Sequence, residues 1–209
     1  MKILSHRGFW LKPEEKNCEA AFIRSFQAGF GLETDLRDHN GDLVISHDPP
    51  RGVCMRFDEF AQIYKEHAFE ACLALNIKAD GLQSLLKSAL KRYAIDNYFV
   101  FDMSAPDTLV CLDAALKVFT RQSEIEPEPI CYDQACGVWI DCFYREWITL
   151  GEIRKSLDKG KEICLVSPEL HRRPHEQFWD FLKKNGLHLD SNIMICTDFP
   201  QTAKDFFDD

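Results

Sequence analysis

The 209 residues, 45% hydrophobic and 28% charged, suit one soluble globular domain with a sizeable core, and they exclude disorder and collagen-like repeats. The formal charge of −9, from 34 acidic against 25 basic side chains, repels polyphosphate chains and sets nucleic acid aside as a partner. No apolar run approaches the roughly 18 residues of a membrane span, and the start Met1-Lys2-Ile3-Leu4-Ser5-His6 has no long apolar signal segment. Nine scattered cysteines without a CxxC pair point to reduced thiols in the cytosol, most of them small core residues.

In chain order, a first strand is predicted at 2–5 and a helix around Phe22 and Phe26, then a strand at 31–37 that ends at the turn signal Asn40-Gly41. The apolar run Leu43-Val44-Ile45 follows, then a helical face of Phe57, Phe60, Ala61 and Tyr64 and a strand at 73–77. Leu82, Leu85, Leu86, Ala89 and Tyr93 keep helical spacing before a strand at 98–102, as do Leu109, Leu112, Leu116 and Phe119 before one at 118–121. The stretch 126–135 is rich in proline and acid, so a fifth helix is expected to be short or missing. Strands at 137–142, 162–166 and 192–196 alternate with helices at 147–157, 177–184 and 202–207. Eight βα units of about 26 residues each predict a compact (β/α)8 TIM barrel filling residues 1–209 as one domain.

In such a barrel the chemistry sits where strands run out into the βα loops. The first strand ends in His6-Arg7-Gly8, and the second carries Glu33-Thr34-Asp35-Leu36-Arg37. Side chains two apart on a strand share a face, so Glu33, Asp35 and Arg37 point one way and Leu32, Thr34 and Leu36 the other. Two carboxylates facing one space repel, and a hard divalent cation such as Mg²⁺ or Ca²⁺ relieves this. After Asn40-Gly41 a hairpin returns His47-Asp48 toward them. A strict two-residue loop would pair His47 with Thr34 on the wrong face, so a bulge or irregular turn is predicted at Gly41.

These residues, with Asn17 opening a helix, Gly29-Phe30-Gly31, Asn76-Ile77-Lys78 and Thr197-Asp198-Phe199-Pro200, resemble the signature of the glycerophosphodiester phosphodiesterase family. The match is ordered, densest in the first quarter of the chain, and falls at strand ends. The resemblance implies hydrolysis of a phosphodiester on a TIM barrel with a divalent cation and two histidines as acid and base. Carried over by position, His6 and His47 are the catalytic pair, Glu33 and Asp35 metal ligands, and Arg7 a phosphate clamp. The chemistry is consistent: histidine moves protons near neutral pH, and arginine offers a fork to phosphate oxygens.

The chain departs from the family at Asn76, where a glutamate ligand is usual. An amide oxygen can still coordinate Mg²⁺ or Ca²⁺ but brings no charge. Lys78 is expected to contact phosphate, and Asp102 is a candidate to replace the lost carboxylate. The strand at 162–166 leads to Ser167-Pro168-Glu169-Leu170-His171-Arg172-Arg173 where the family more usually has Trp-Thr, making Glu169 and Arg172 candidates for reading the substrate's alcohol. Trp139, Phe143 and Tyr144 could wall a sugar or glycerol group. His39, His67, His171, His175 and His188 are assigned to surface or loop. The expected partner is a small-molecule phosphodiester, with no integral membrane association. A lyase forming a cyclic phosphate and a non-catalytic barrel binding a phosphorylated sugar or polymer are the alternatives. Oligomeric state and the alcohols of the diester are not legible.

Overall fold

The structure, a computed structural model, describes residues 1–67 and 70–209. Among the described residues eight parallel strands, all but one followed by a helix, make a (β/α)8 barrel fold, and one extra short strand forms a hairpin. The contacts divide the chain into two compact units, residues 5–118 and residues 1–4 with 119–209.

In the unit 5–118, helix α1 (Glu19–Gln27) leads to β2 (Gly31–His39) and the short β3 (Asp42–Ile45), after β1 (Lys2–His6) has entered from the first residues. Helix α2 (Phe57–His67), β4 (Leu73–Ile77), α3 (Gln83–Tyr93), β5 (Tyr98–Phe101) and α4 (Ala105–Asp113) follow. The strand order is β5–β4–β2, with β3 antiparallel on β2. Leu32, Leu36, Leu73, Leu75 and Ile77 are buried. So are the aromatic faces of α1 and α2, where Phe22 meets Phe60 edge-on at 5.0 Å and Phe26 meets Tyr64 at 5.7 Å. Alternation on β4 turns Ala74 and Asn76 to the opposite face from the leucines.

The other unit adds β6 (Phe119–Gln122), β7 (Gly137–Ile140), α5 (Leu150–Asp158), β8 (Glu162–Val166), α6 (Glu176–Lys184), β9 (Ile193–Thr197) and α7 (Pro200–Asp208), in the sheet order β1–β9–β8–β7–β6. Its core joins Val138, Ile140, Ile163, Leu165, Ile193 and Ile195 to Phe178, Trp179 and Leu182 of α6. Thr149 caps α5 by accepting from the Glu152 N–H at 3.3 Å. Among the described residues no helix stands between β6 and β7, in keeping with the composition of 126–135. A cavity of about 580 Å³ lies there against α5, lined by residues that include Pro127, Tyr132, Trp147 and Lys159. Phe119, counted at sequence level on a helical face, belongs to β6, because α4 stops at Asp113 and Ala115 turns left-handed at φ 56°.

The hairpin differs from expectation. His39 pairs with Asp42, so the loop holds only Asn40 and Gly41, at φ 52° and 87°. Asn-Gly satisfies both left-handed positions of a two-residue turn, and no bulge forms. Continuing that register would set His47 opposite Thr34, but β3 ends at Ile45. The Ser46 N–H still donates to the Asp35 carbonyl at 3.0 Å, and beyond it Pro49-Pro50 cannot extend the ladder. The His47 ring is therefore not tied to the pleat.

Nine cysteines are free, and Cys72, Cys111, Cys142, Cys164 and Cys196 are buried. Among the described residues no helix is long and apolar enough to cross a membrane.

Candidate active site

Parallel register assembles the polar cluster in the unit 5–118. On β2, Glu33 and Asp35 share one face, and Asp35 lies level with Asn76 of β4, which in turn lies level with Phe101 of β5. Lys78, two residues beyond Asn76, follows on the same side. Its Nζ sits 3.7 Å from Asp35 Oδ1 and 3.1 Å from Asp102 Oδ2. Asp102, just past β5, takes a left-handed φ of 70°, a conformation aspartate tolerates better than most residues.

Glu33 and Asp35 are almost completely buried. Glu33 Oε1 accepts from Asn76 Nδ2 at 3.2 Å, and Oε2 accepts from the Arg7 backbone N–H at 3.1 Å. His6 Nε2 lies 3.9 Å from Glu33 Oε2, in a side chain 14% exposed. Burial pushes the Glu33 carboxyl above the usual carboxylate range, and the neighbouring Asp35 charge adds to this. His6, Arg7 and Lys78 pull it back only in part. Asp35 Oδ2 instead meets Arg7 Nε at 3.0 Å and accepts from Asn17 Nδ2 at 2.8 Å.

Asn17 does not open α1. The helix begins at Glu19 behind Cys18, and Asn17 is left-handed at φ 59°. Its N–H donates to the Arg7 carbonyl at 2.9 Å, its side-chain oxygen accepts from Thr34 Oγ1 at 2.8 Å, and its amide nitrogen reaches Asp35. It is a site residue that a sequence reading takes for a helix cap. The clue was its place in one motif with Arg7, also left-handed at φ 57°.

Gly8 completes that turn at φ 90°, and a Cβ there would sit 2.8 Å from Ala21 Cβ and 3.0 Å from the Ala21 carbonyl carbon. Gly8→Ala is expected to destabilise the chain by about 2–3 kcal/mol through strain at positive φ and overpacking, as a urea-unfolding midpoint would show.

His47 is half exposed. Its Nδ1 bonds Asp48 Oδ1 at 2.8 Å, its carbonyl accepts from Arg37 Nε at 3.0 Å, and Ser46 Oγ donates to the Asp48 carbonyl at 2.7 Å. The His47 contact, with smaller contributions from Arg7 and Arg37, holds the Asp48 carboxyl below its usual range.

Glu169 belongs to the other unit, on a short 3-10 turn after β8. Its Oε2 accepts from Ser167 Oγ at 2.5 Å, and its Oε1 from Thr197 Oγ1 at 2.5 Å and the Asp198 N–H at 3.1 Å. Arg172, at φ 59°, ends that turn.

For a divalent cation the donor chemistry fits. Asp35 Oδ1 and Asn76 Oδ1 are buried oxygens without a hydrogen-bond partner, and Glu33 is a buried carboxylate beside them. The set is two carboxylates and an amide. Among the described residues, three or more His, Cys, Asp or Glu side chains nowhere converge as a metal site.

No family model matches the sequence, and no curated protein matches it. Solved structures do match in fold. A glycerophosphodiester phosphodiesterase from Agrobacterium tumefaciens is 16% identical, with a TM-score of 0.72 over 100% of both chains. A glycerophosphoryl diester phosphodiesterase from Parabacteroides distasonis is 12% identical, with a TM-score of 0.66 over 99% of this chain and 86% of that one. A Ca²⁺-dependent phosphatidylinositol-specific phospholipase C from Streptomyces antibioticus is 11% identical, with a TM-score of 0.55 over 97% and 95%. The chain has the (β/α)8 fold of these phosphodiesterases.

Proposed function

We propose that the chain is a metal-dependent phosphodiester hydrolase of the glycerophosphodiester phosphodiesterase kind, acting on a small-molecule diester in the cytoplasm. The observation that carries the reading is the pair of buried carboxylates, Glu33 hydrogen-bonded to the Asn76 amide and Asp35 level with it, where Asp35 Oδ1 and Asn76 Oδ1 lack hydrogen-bond partners. The phosphodiesterases that share the fold support it.

Glu33, Asp35 and Asn76 would hold Mg²⁺ or Ca²⁺, which supplies positive charge to a nonbridging phosphate oxygen. Arg7 and Lys78, both anchored on Asp35, bind the phosphate and share its charge. His6 and His47 move the protons: one imidazole takes the proton of the attacking water or hydroxyl, and the other protonates the departing alkoxide. Asp48 holds Nδ1 of His47, which leaves Nε2 for the transfer. Glu169 ties β8 to β9 through three accepted hydrogen bonds, and Oε2, with one of them, keeps acceptor capacity for a substrate hydroxyl.

Phosphorus NMR of the protein with glycerophosphodiesters, run with Mg²⁺, with Ca²⁺ and with chelator, tests the reading. Loss of the diester signal with a cation and its persistence with chelator are expected. Persistence under every condition would overturn the proposal.

A further inference from the structure

We propose that Asp102 is a positioning residue for Lys78: it holds the lysine ammonium and keeps it from closing on Asp35 Oδ1, an oxygen that a divalent cation needs. The inference rests on the metal-dependent reading above. It gives Asp102 a part different from that of a ligand standing in for the glutamate replaced by Asn76.

Strand parity alone would send Asp102 elsewhere. Asn76 of β4 lies level with Phe101 of β5, so an extended Asp102 would fall level with Ile77, which shares the face of Leu73 and Leu75 and points away from Asn76. The strand stops at Phe101, and the left-handed φ of 70° at Asp102 breaks the pleat. The carboxylate thereby reaches Lys78, and its Oδ2 accepts from Nζ at 3.1 Å. The backbone of Lys78 is itself fixed, since its N–H donates to the Leu36 carbonyl at 3.0 Å.

The ammonium stands between two carboxylates. Its hydrogen bond goes to Asp102, whereas Asp35 Oδ1 lies 3.7 Å away, beyond hydrogen-bond reach, and is buried without a hydrogen-bond partner. The side chains of Lys78 and Asp102 are only 18% and 22% exposed, so water does little to satisfy either charge. A lysine in such a place needs an acid beside it, and its flexible four-carbon stem lets it move to one. With the Asp102 charge removed, Asp35 Oδ1 is the acid within reach. An ammonium seated there repels a cation and takes up one of its donors. A carboxylate that bound the cation itself, or acted on it only through its field, would do so whether or not a lysine stood beside it.

That difference is the test. The full chain is titrated calorimetrically with Ca²⁺ alone and with Mg²⁺ alone, without substrate, in a double-mutant cycle. Asp102→Asn removes the charge and keeps a residue suited to positive φ, and it is expected to lower cation affinity about 10-fold. Lys78→Met replaces the ammonium with an apolar chain of similar length, and in that background Asp102→Asn is expected to change the affinity about twofold or less. An equal loss in both backgrounds, or no loss in either, would overturn the inference and leave the metal site standing. A wild-type chain that binds neither cation would overturn the metal-dependent reading and this inference with it.

Discussion

His6→Ala will lower kcat/KM for a glycerophosphodiester by about 10²–10⁴-fold, and His47→Ala by a similar factor, the range for losing one acid or base in proton transfer. The two substitutions differ in their effect on folding. His47 is half exposed and anchored through Asp48 and its own carbonyl, so its removal leaves the melting temperature almost unchanged. His6 is largely buried beside Glu33, where an imidazole relieves the carboxyl, so His6→Ala costs some stability as well. Steady-state kinetics paired with thermal melts separates the two effects. Activity within threefold of wild type in the His47→Ala protein would exclude this histidine as acid or base.

The second large effect concerns Glu33. Its folded pKa lies above its unfolded value because of burial and then of Asp35, so the folded chain holds the proton more tightly. That contribution to stability is present below the ordinary carboxylate range and is lost as pH rises through the raised value. Without divalent cation, Glu33→Gln is therefore expected to melt about 2–4 °C above wild type near pH 8, the shift given by on the order of 1 kcal/mol in a chain of this size, with the gap closing near pH 4. The amide of Asn76 can turn to accept from the new amide, so the substitution leaves no buried donor facing another. Added Mg²⁺ or Ca²⁺ should stabilise wild type and not the variant, and diester turnover should vanish in the variant. Calorimetry across pH, with and without cation, checks this. A variant less stable than wild type in chelator at pH 8 would contradict it.

The strands at 73–77 and 162–166 were legible to the residue, because each is a short apolar run bounded by polar turns. The shared face of Glu33 and Asp35 followed from strand parity, a rule that needs no coordinates, whereas Asn76 and Lys78 were set beside them only by the family resemblance. Parity failed at His47 because it applies only inside a ladder, and the chain leaves the ladder at Ser46. The bulge expected at Gly41 answered a need the molecule meets by letting the segment go instead. Asn17 was misread because asparagine before a helix ordinarily caps it, and only the path of the Arg7 turn reveals its other partners. The contact of His171 Nε2 with Asp141 Oδ1, at 2.7 Å, had no local signature at all: its members sit after different strands and meet only through the sheet.

The grouping of residues 1–4 with 119–209 bears on the order in which the protein is made. The ribosome releases Met1 to Leu4 before the rest of the described chain, yet the groups they bind, such as Glu162 opposite Lys2 at 3.5 Å, are translated more than a hundred residues later. Residues 5–118 have their own partners within reach soon after leaving the exit tunnel. The contacts that these four residues make with 119–209 can form only after most of the described chain has been made, so they are among the last to close.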